Sequence, residues 1–269
     1  MESTAAPIRV RTDLVELFVT VRRGSRPVIG LTPDDFVVTD QGRVQKLVYF
    51  KTEKSSLRVV MLLDTSLSIA EDLPFLQAAG LRFLSALKPG DEVGLFSFGG
   101  SIRELAPISG NLTSLGQVLR SVHAEGNTHL FDAIARGVTE LREPGIRRGI
   151  VLFTDGDDTA SRLSKANVAR LCGRGAIPLF VIGTGDAVRN HKFRKLLEEL
   201  AGATGADAFF PKDSKGLSRA FEAVSDRLRT GYGAGFYSES PPDGRWHDIQ
   251  VKLRGKKGEV TVREGYYAD

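Results

Sequence analysis

The sequence predicts an α/β protein: a doubly wound, mainly parallel sheet with helices on both faces, plus a small β-sandwich built from the N- and C-terminal strands. Three observations predict it. Apolar strand-like runs alternate with amphipathic helical stretches from about residue 57 to 230, the pattern of βαβ units. The flanks, residues 1–56 and 231–269, carry strand patterns without a long helix. The apolar runs end in acids and hydroxyls where strands hand over to helices, which is where open α/β sheets bind ligands.

In the first flank, Val15, Leu17, Val19 and Val21 alternate with Glu16, Phe18, Thr20 and Arg22, the period of a half-buried strand. Arg23-Gly24-Ser25-Arg26-Pro27 reads as a turn. Thr32-Pro33-Asp34-Asp35 combines a capping residue, a Pro at the first helical position and acids in the first turn, so a single helical turn is expected. Phe36–Val38 and Val44–Phe50 flank Asp40-Gln41-Gly42 as a hairpin, and 51–56 reads as a polar linker.

The α/β region opens on the strand Leu57-Arg58-Val59-Val60-Met61-Leu62-Leu63, apolar enough to be buried on both faces. A helix carrying Leu73, Leu76, Phe83, Leu84 and Leu87 follows, with Pro74 tolerable only near its start and Pro89-Gly90 ending it. Asp91–Phe98 and Ile102–Ile108, joined by Gly99-Gly100-Ser101, are expected as an antiparallel pair, with Pro107 on the edge strand. Helices follow at 114–122 and 129–141, the second ended by Pro144-Gly145. A strand at 148–153 ends in Thr154-Asp155-Gly156-Asp157-Asp158. A helix at 164–174, a strand at 177–182, a helix at 192–201, a short strand at 208–210 and a helix at 217–228 complete the region.

In the second flank, strands are expected at 234–237, 246–253 and 258–267, with turns at Pro241-Pro242-Asp243-Gly244 and Arg254–Gly258. Neither flank buries its apolar face alone. Packed face to face they make a sandwich, so residues 1–56 and 231–269 form a discontinuous β-domain with the α/β unit, 57–230, inserted between them.

Composition is that of a globular protein, 41% hydrophobic and 26% charged. The net charge of +4 is spread among interspersed charges of both signs and points to no nucleic-acid partner. A single cysteine, Cys172, rules out an internal disulfide and reads as a small buried apolar residue. No apolar run approaches the roughly 20 residues of a membrane span. Met1–Pro7 shows no signal peptide, which leaves a cytoplasmic protein and a mature exported form both open.

Asp64, Ser66 and Ser68, one residue apart after the first buried strand, are hard oxygen donors of the kind Mg²⁺ takes. Taken alone they also read as ordinary helix N-caps. Two further donors at strand ends, Thr128 in Gly126-Asn127-Thr128 and Asp155, are not explained by capping. Together the three loops resemble the von Willebrand factor type A domain and its metal-ion-dependent adhesion site. Asp64-x-Ser66-x-Ser68, Gly126–Ala133 with Thr128, and Phe153-Thr154-Asp155-Gly156 match its three elements in order, over roughly residues 57–230. Leu31–Phe36 and Arg263–Tyr267 further resemble bacterial VWFA-related proteins. The resemblance implies Mg²⁺ (or Mn²⁺ or Ca²⁺) at Asp64, Ser66, Ser68, Thr128 and Asp155. Ser66, Ser68 and Thr128 would bind directly, and Asp64 and Asp155 directly or through waters. It also implies a protein partner reaching the ion through an Asp or Glu side chain, no catalysis, and export.

Competing readings fare worse. Haloacid-dehalogenase-like phosphatases place an Asp nucleophile similarly but need an acid where Ser66 stands. An adhesion scaffold with an unused metal site is the other alternative. Asp157 and Asp158 read as solvated turn residues without a calcium-loop pattern. No G-x-x-x-x-G-K-[ST] loop is present. His123, His129, His191 and His247 lack ligand spacing, Gly255–Gly258 reads as a hairpin turn, and Trp246 with Tyr266 and Tyr267 reads as β-domain core.

Overall fold

A computed structural model describes residues 14–52, 56–142, 147–240 and 243–268. The expectations for the chain start, residues 53–55 of the linker, Pro144-Gly145 and Pro241-Pro242 lie outside the described residues. In order, the elements are β1 (Leu14–Arg23), β2 (Arg26–Pro27), β3 (Phe36–Asp40), β4 (Arg43–Gln45), β5 (Tyr49–Lys51), β6 (Leu57–Leu63), α1 (Leu73–Ser85), β7 (Glu92–Ser97), β8 (Arg103–Ser109), α2 (Leu112–Arg120), α3 (Leu130–Glu140) and β9 (Arg147–Thr154). There follow α4 (Lys165–Gly175), β10 (Leu179–Gly183), α5 (Asp186–Arg189), α6 (His191–Gly202), β11 (Ala208–Phe209), α7 (Ser214–Thr230), β12 (Tyr232–Tyr237), β13 (Trp246–Leu253), β14 (Glu259–Thr261) and β15 (Gly265–Tyr267).

The central sheet runs β11-β10-β9-β6-β7-β8, parallel throughout except for β8, which lies antiparallel to β7 on the edge. Side chains alternate across a strand, so β6 serves two cores at once. Leu57, Val59, Met61 and Leu63 pack with Leu76, Phe83, Leu119, Phe221 and Val224 of α1, α2 and α7. Val60 and Leu62 pack with Ile134, Val168, Leu197 and Leu200 of α3, α4 and α6. Helices therefore cover both faces, and the strands must be apolar where the helices lie, as Val59–Leu63 of β6 and Ile150–Phe153 of β9 are.

The flanks form two antiparallel sheets, β14-β1-β12-β5 with β2 folded back on β1, and β15-β13-β3-β4. Their shared core includes Leu17, Val19, Phe36, Val38, Tyr232, Phe236, Ile249 and Val251. The strands are not divided as two opposing halves. β1 lies between β12 and β14, and β3 beside β13, so each sheet mixes both ends of the chain. A strand has N–H and C=O groups to pair along its whole length, and β1 finds partners in β12 for Leu14–Val19 and in β14 for Thr20–Arg22.

Two expected strands are each split between sheets. In 44–50, β4 stays with β3 through a two-residue turn in which Gln41 and Gly42 are both left-handed, while β5 crosses to β12. In 258–267, β14 joins β1 and β15 joins β13. Arg254–Gly258 therefore links two sheets and is not a hairpin turn. Helix α2 starts two residues early because the Asn111 side chain accepts the Ser114 N–H at 3.2 Å. The one-turn α5 has no amphipathic period to betray it. Trp246 is not core: it is 41% exposed and meets Tyr267 edge-on at 5.3 Å.

Several contacts tie the flanking sheets to the α/β unit, three of them through β1 or the strand end that joins it. Buried Arg263 donates to Glu16 O of β1 at 2.7 Å and to Gly173 O of α4. Arg22 pairs with Asp226 of α7 at 2.9 Å. The Phe18 ring meets Phe180 of β10 edge-on. If residues 1–56 and 231–269 are one discontinuous domain, deleting residue 231 onward strips β1 of both β12 and β14. Amide exchange at residues 14–22 should then speed up toward that of an unstructured segment. Protection equal to the full chain would show that the two ends do not depend on one core.

Candidate metal centre

The five candidate residues lie at the carboxyl edge of the central sheet, on loops stitched together by hydrogen bonds. The Asp64 N–H donates to Phe153 O at 2.9 Å, extending the β6–β9 ladder by one step. Both Asp64 oxygens then accept: Oδ1 from the Ser66 N–H at 3.0 Å and the Ser66 hydroxyl at 2.6 Å, and Oδ2 from the Thr154 hydroxyl at 2.7 Å. Ser66 Oγ lies 2.9 Å from Ser68 Oγ. Asp64, Ser66 and Ser68 are thus brought into one contiguous set. Asp64 and Ser66 are buried, and Ser68 is open to solvent.

Thr128 enters through a second loop. The Leu67 N–H donates to Gly126 O at 3.1 Å, and the Gly99 N–H to Thr65 Oγ1 at 3.0 Å, with Gly99 bridged to Thr128. Gly126 has φ +62°, and a Cβ there would lie 2.3 Å from Gly100 Cα, so this approach requires glycine. The Thr128 N–H donates to Thr159 Oγ1 at 3.0 Å, and Thr128 O accepts from Thr159 and Ala160. Asp155, also buried, follows Thr154 and stands near enough to Asp64 to act on its charge.

The Asp64 carboxyl is pushed up to about 6, first by burial and then by repulsion from Asp155. The opposing influences are the hydrogen bonds from Ser66 and Thr154. Two buried acids facing hydroxyl oxygens fit a divalent cation. A hydroxyl that donates to a carboxylate turns its lone pairs elsewhere, so Asp64 fixes the direction of the Ser66 lone pairs. Both Asp64 oxygens are engaged by hydroxyls and a backbone N–H, an arrangement that suits direct coordination and an orienting role alike. Among the described residues no three His, Cys, Asp or Glu side chains cluster as metal ligands.

Residues that sequence reasoning missed hold this edge together. Thr154 stood only as a neighbour of Asp155 in Phe153-Thr154-Asp155-Gly156, with no role of its own, yet its hydroxyl holds Asp64. Asp158 is not a solvated turn residue: its Oδ1 accepts from the Leu130 N–H at 2.9 Å and the Ser161 hydroxyl at 2.6 Å. Ser161 Oγ in turn accepts the Phe131 and Asp132 N–H groups. These satisfy the free N–H groups of the first turn of α3, which its N-cap His129 cannot cap with its side chain. Cys172 is buried and its thiol pushed up to about 12 by burial, in keeping with an inert apolar role.

The family model described as the von Willebrand factor type A domain matches residues 59–223, more than half the chain. Inter-alpha-trypsin inhibitor heavy chain H1 of Sus scrofa is 28% identical over 152 residues, 50% of this chain, but the chain spans only 17% of that protein's length. The von Willebrand factor type A structure from Catenulispora acidiphila covers 97% of this chain, with 74% of its own covered, at 12% identity and TM-score 0.56. That likeness of fold includes the flanking sheets. The vWF domain of the type V pili tip protein Mfa5 from Porphyromonas gingivalis matches 65% of this chain over 96% of its own, at 14% identity and TM-score 0.51.

Two outcomes follow from this geometry. The Asp64 carboxyl, raised above its unfolded value of 3.8, binds protons more tightly in the folded state, so stability without metal falls as pH rises from about 4 to 6. Urea unfolding in chelator should show that fall in the native chain and a flatter profile in Asp64→Asn. Asp158→Ala removes the acceptor for the Leu130 N–H and should lower the unfolding free energy by about 1 kcal/mol, read from the urea midpoint at unchanged slope.

Proposed function

The chain belongs to the von Willebrand factor type A domain family, and we propose that it is a non-enzymatic, metal-dependent protein-binding module. In this reading Asp64, Ser66, Ser68, Thr128 and Asp155 hold Mg²⁺, with Mn²⁺ or Ca²⁺ as substitutes. The observation that carries it is the buried Asp64 carboxylate, set against Asp155 and spending its own acceptors on orienting Ser66 and Thr154. When bound, the ion would supply an electrophilic position open to an Asp or Glu carboxylate of a protein partner. Around it, the chain's own residues provide a rigid, partly apolar landing face: Leu67, between the two serines, is 65% exposed.

Catalysis does not fit these residues. Position 66, where a phosphatase of this layout needs a proton donor, carries a hydroxyl that itself donates to Asp64. Among the described residues no helix is long and apolar enough to cross a membrane. Support for work at the cell envelope or outside it comes from the fold shared with a pilus-tip protein.

Calorimetry with Mg²⁺ or Mn²⁺ should find one site, abolished by Asp64→Ala. At 100 times the dissociation constant the ion should stabilise the fold by about 2.7 kcal/mol. Equal heats for native and variant chains would end the metal reading. Phosphatase and esterase screens should give no turnover that Asp64→Asn removes, and a reproducible Asp64-dependent rate would restore the enzyme alternative.

A further inference from the structure

Beside the donor loops lies a groove of about 430 Å³, between the start of α3, the turn after β9 and the first two turns of α6. It begins where the donors end. Gly156 directly follows Asp155, and Phe131 lies three residues after Thr128. Gly156 has φ +91°, and a Cβ there would fall 2.9 Å from the Phe193 Cβ, so the turn after β9 rests directly on α6. The floor is apolar and half-open: Phe131, Phe193 and Leu196 are each partly exposed.

The polar groups around this floor are unevenly committed. Among the acids, Glu199 is paired with Lys165, whereas Asp157 and Asp158 keep their charge but are turned toward the protein, accepting the Asp158 N–H and the Leu130 N–H and Ser161 hydroxyl respectively. The cations are not so held. Lys192 is exposed with no carboxylate partner among the described residues, and Lys195 makes only a loose 3.9 Å contact to Glu199. Both stand in the first turns of α6, whose N-terminal end adds positive potential.

We propose that this groove is the second contact of the partner-binding face and that its occupant is an extended, acidic segment of a protein. One acidic residue of that segment meets the metal centre. A bulky apolar side chain a few residues away lies on Phe131, Phe193 and Leu196, and a further acidic group meets Lys192 and Lys195. The inference rests on the metal-dependent reading above and adds the chemistry of the partner to it. An apolar floor beside a few convergent charges is the usual composition of a ligand site. The metal centre alone recognises any carboxylate, whereas the groove makes the choice of sequence.

The test is to pan a random peptide library on the full chain in Mn²⁺, then measure the enriched peptides by fluorescence polarisation on four proteins: native, Asp64→Ala, Lys192→Glu/Lys195→Glu and Leu196→Ala. Calorimetry checks that the last two variants still take the metal. The proposal expects peptides that pair acidic with bulky apolar residues. They should lose binding in chelator and in Asp64→Ala, and weaken at least tenfold in the lysine variant and severalfold in Leu196→Ala at unchanged metal affinity. Peptides that need Asp64 but bind the groove variants as they bind the native chain would overturn the groove and leave the metal reading standing. Enriched peptides indifferent to both chelator and Asp64→Ala would overturn the two together, as would a library yielding none that depends on metal.

Discussion

Thr154 Oγ1 donates to Asp64 Oδ2 across 2.7 Å, joining the carboxyl ends of two neighbouring parallel strands that stand 90 positions apart in sequence. The group it binds is fully buried, so this hydrogen bond is also an obligation. An ionised carboxylate left short of donors in such a place costs upward of about 1–3 kcal/mol. Ser66 supplies the other donors, and its loop is held in turn by the Gly126 carbonyl through Leu67. The edge of the sheet is therefore a closed set of mutual dependences. Moving the Thr128 loop, the Ser66 loop or the turn after β9 disturbs the remaining two.

This arrangement trades stability for a poised charge. Asp64 and Asp155 repel each other where water cannot screen them, and the fold tolerates this because β6 and β9 are anchored by side chains on both faces. A second buried charge, Arg263, is handled differently. Burial draws its guanidinium down to about 10, still ionised at neutral pH, and its two terminal nitrogens donate to the carbonyls of Gly173 and Glu16. One buried charge fastens two parts of the chain through backbone carbonyls. The other is held by hydroxyls and a backbone N–H at the edge of the sheet.

The central sheet was legible because its signals are local. A seven-residue apolar run leaves no choice but burial on both faces, and Gly99-Gly100-Ser101 announces the reversal that makes β8 antiparallel. The spacing of Asp64, Ser66 and Ser68 was legible for the same reason. The sheets of the flanks were not, because alternation tells which side of a strand is buried and nothing about its neighbour. Val44 and Phe50 both read as strand, yet one pairs within β3–β4 and the other across to β12. Thr154 and Asp158 escaped notice for a related reason. Their importance lies in donors and acceptors supplied by distant segments, and a threonine at a strand end or an aspartate in a turn looks ordinary until those segments arrive.

The interleaving of β1 has a consequence for the order in which the molecule can be assembled. During vectorial synthesis β1 emerges before the α/β unit, but its neighbours β12 and β14 are made only after that unit. Until then its apolar face and its edges are open, the kind of segment prone to pair with another copy of itself. The βαβ portion can close first through near-neighbour contacts, whereas pairing β1 with β12 must bear the loop-closure cost of the whole insertion. The slowest step of maturation should then be the docking of the last strands onto the first. A chaperone that shields the nascent N-terminal ribbon would raise the yield of native protein more than one that assists the central sheet.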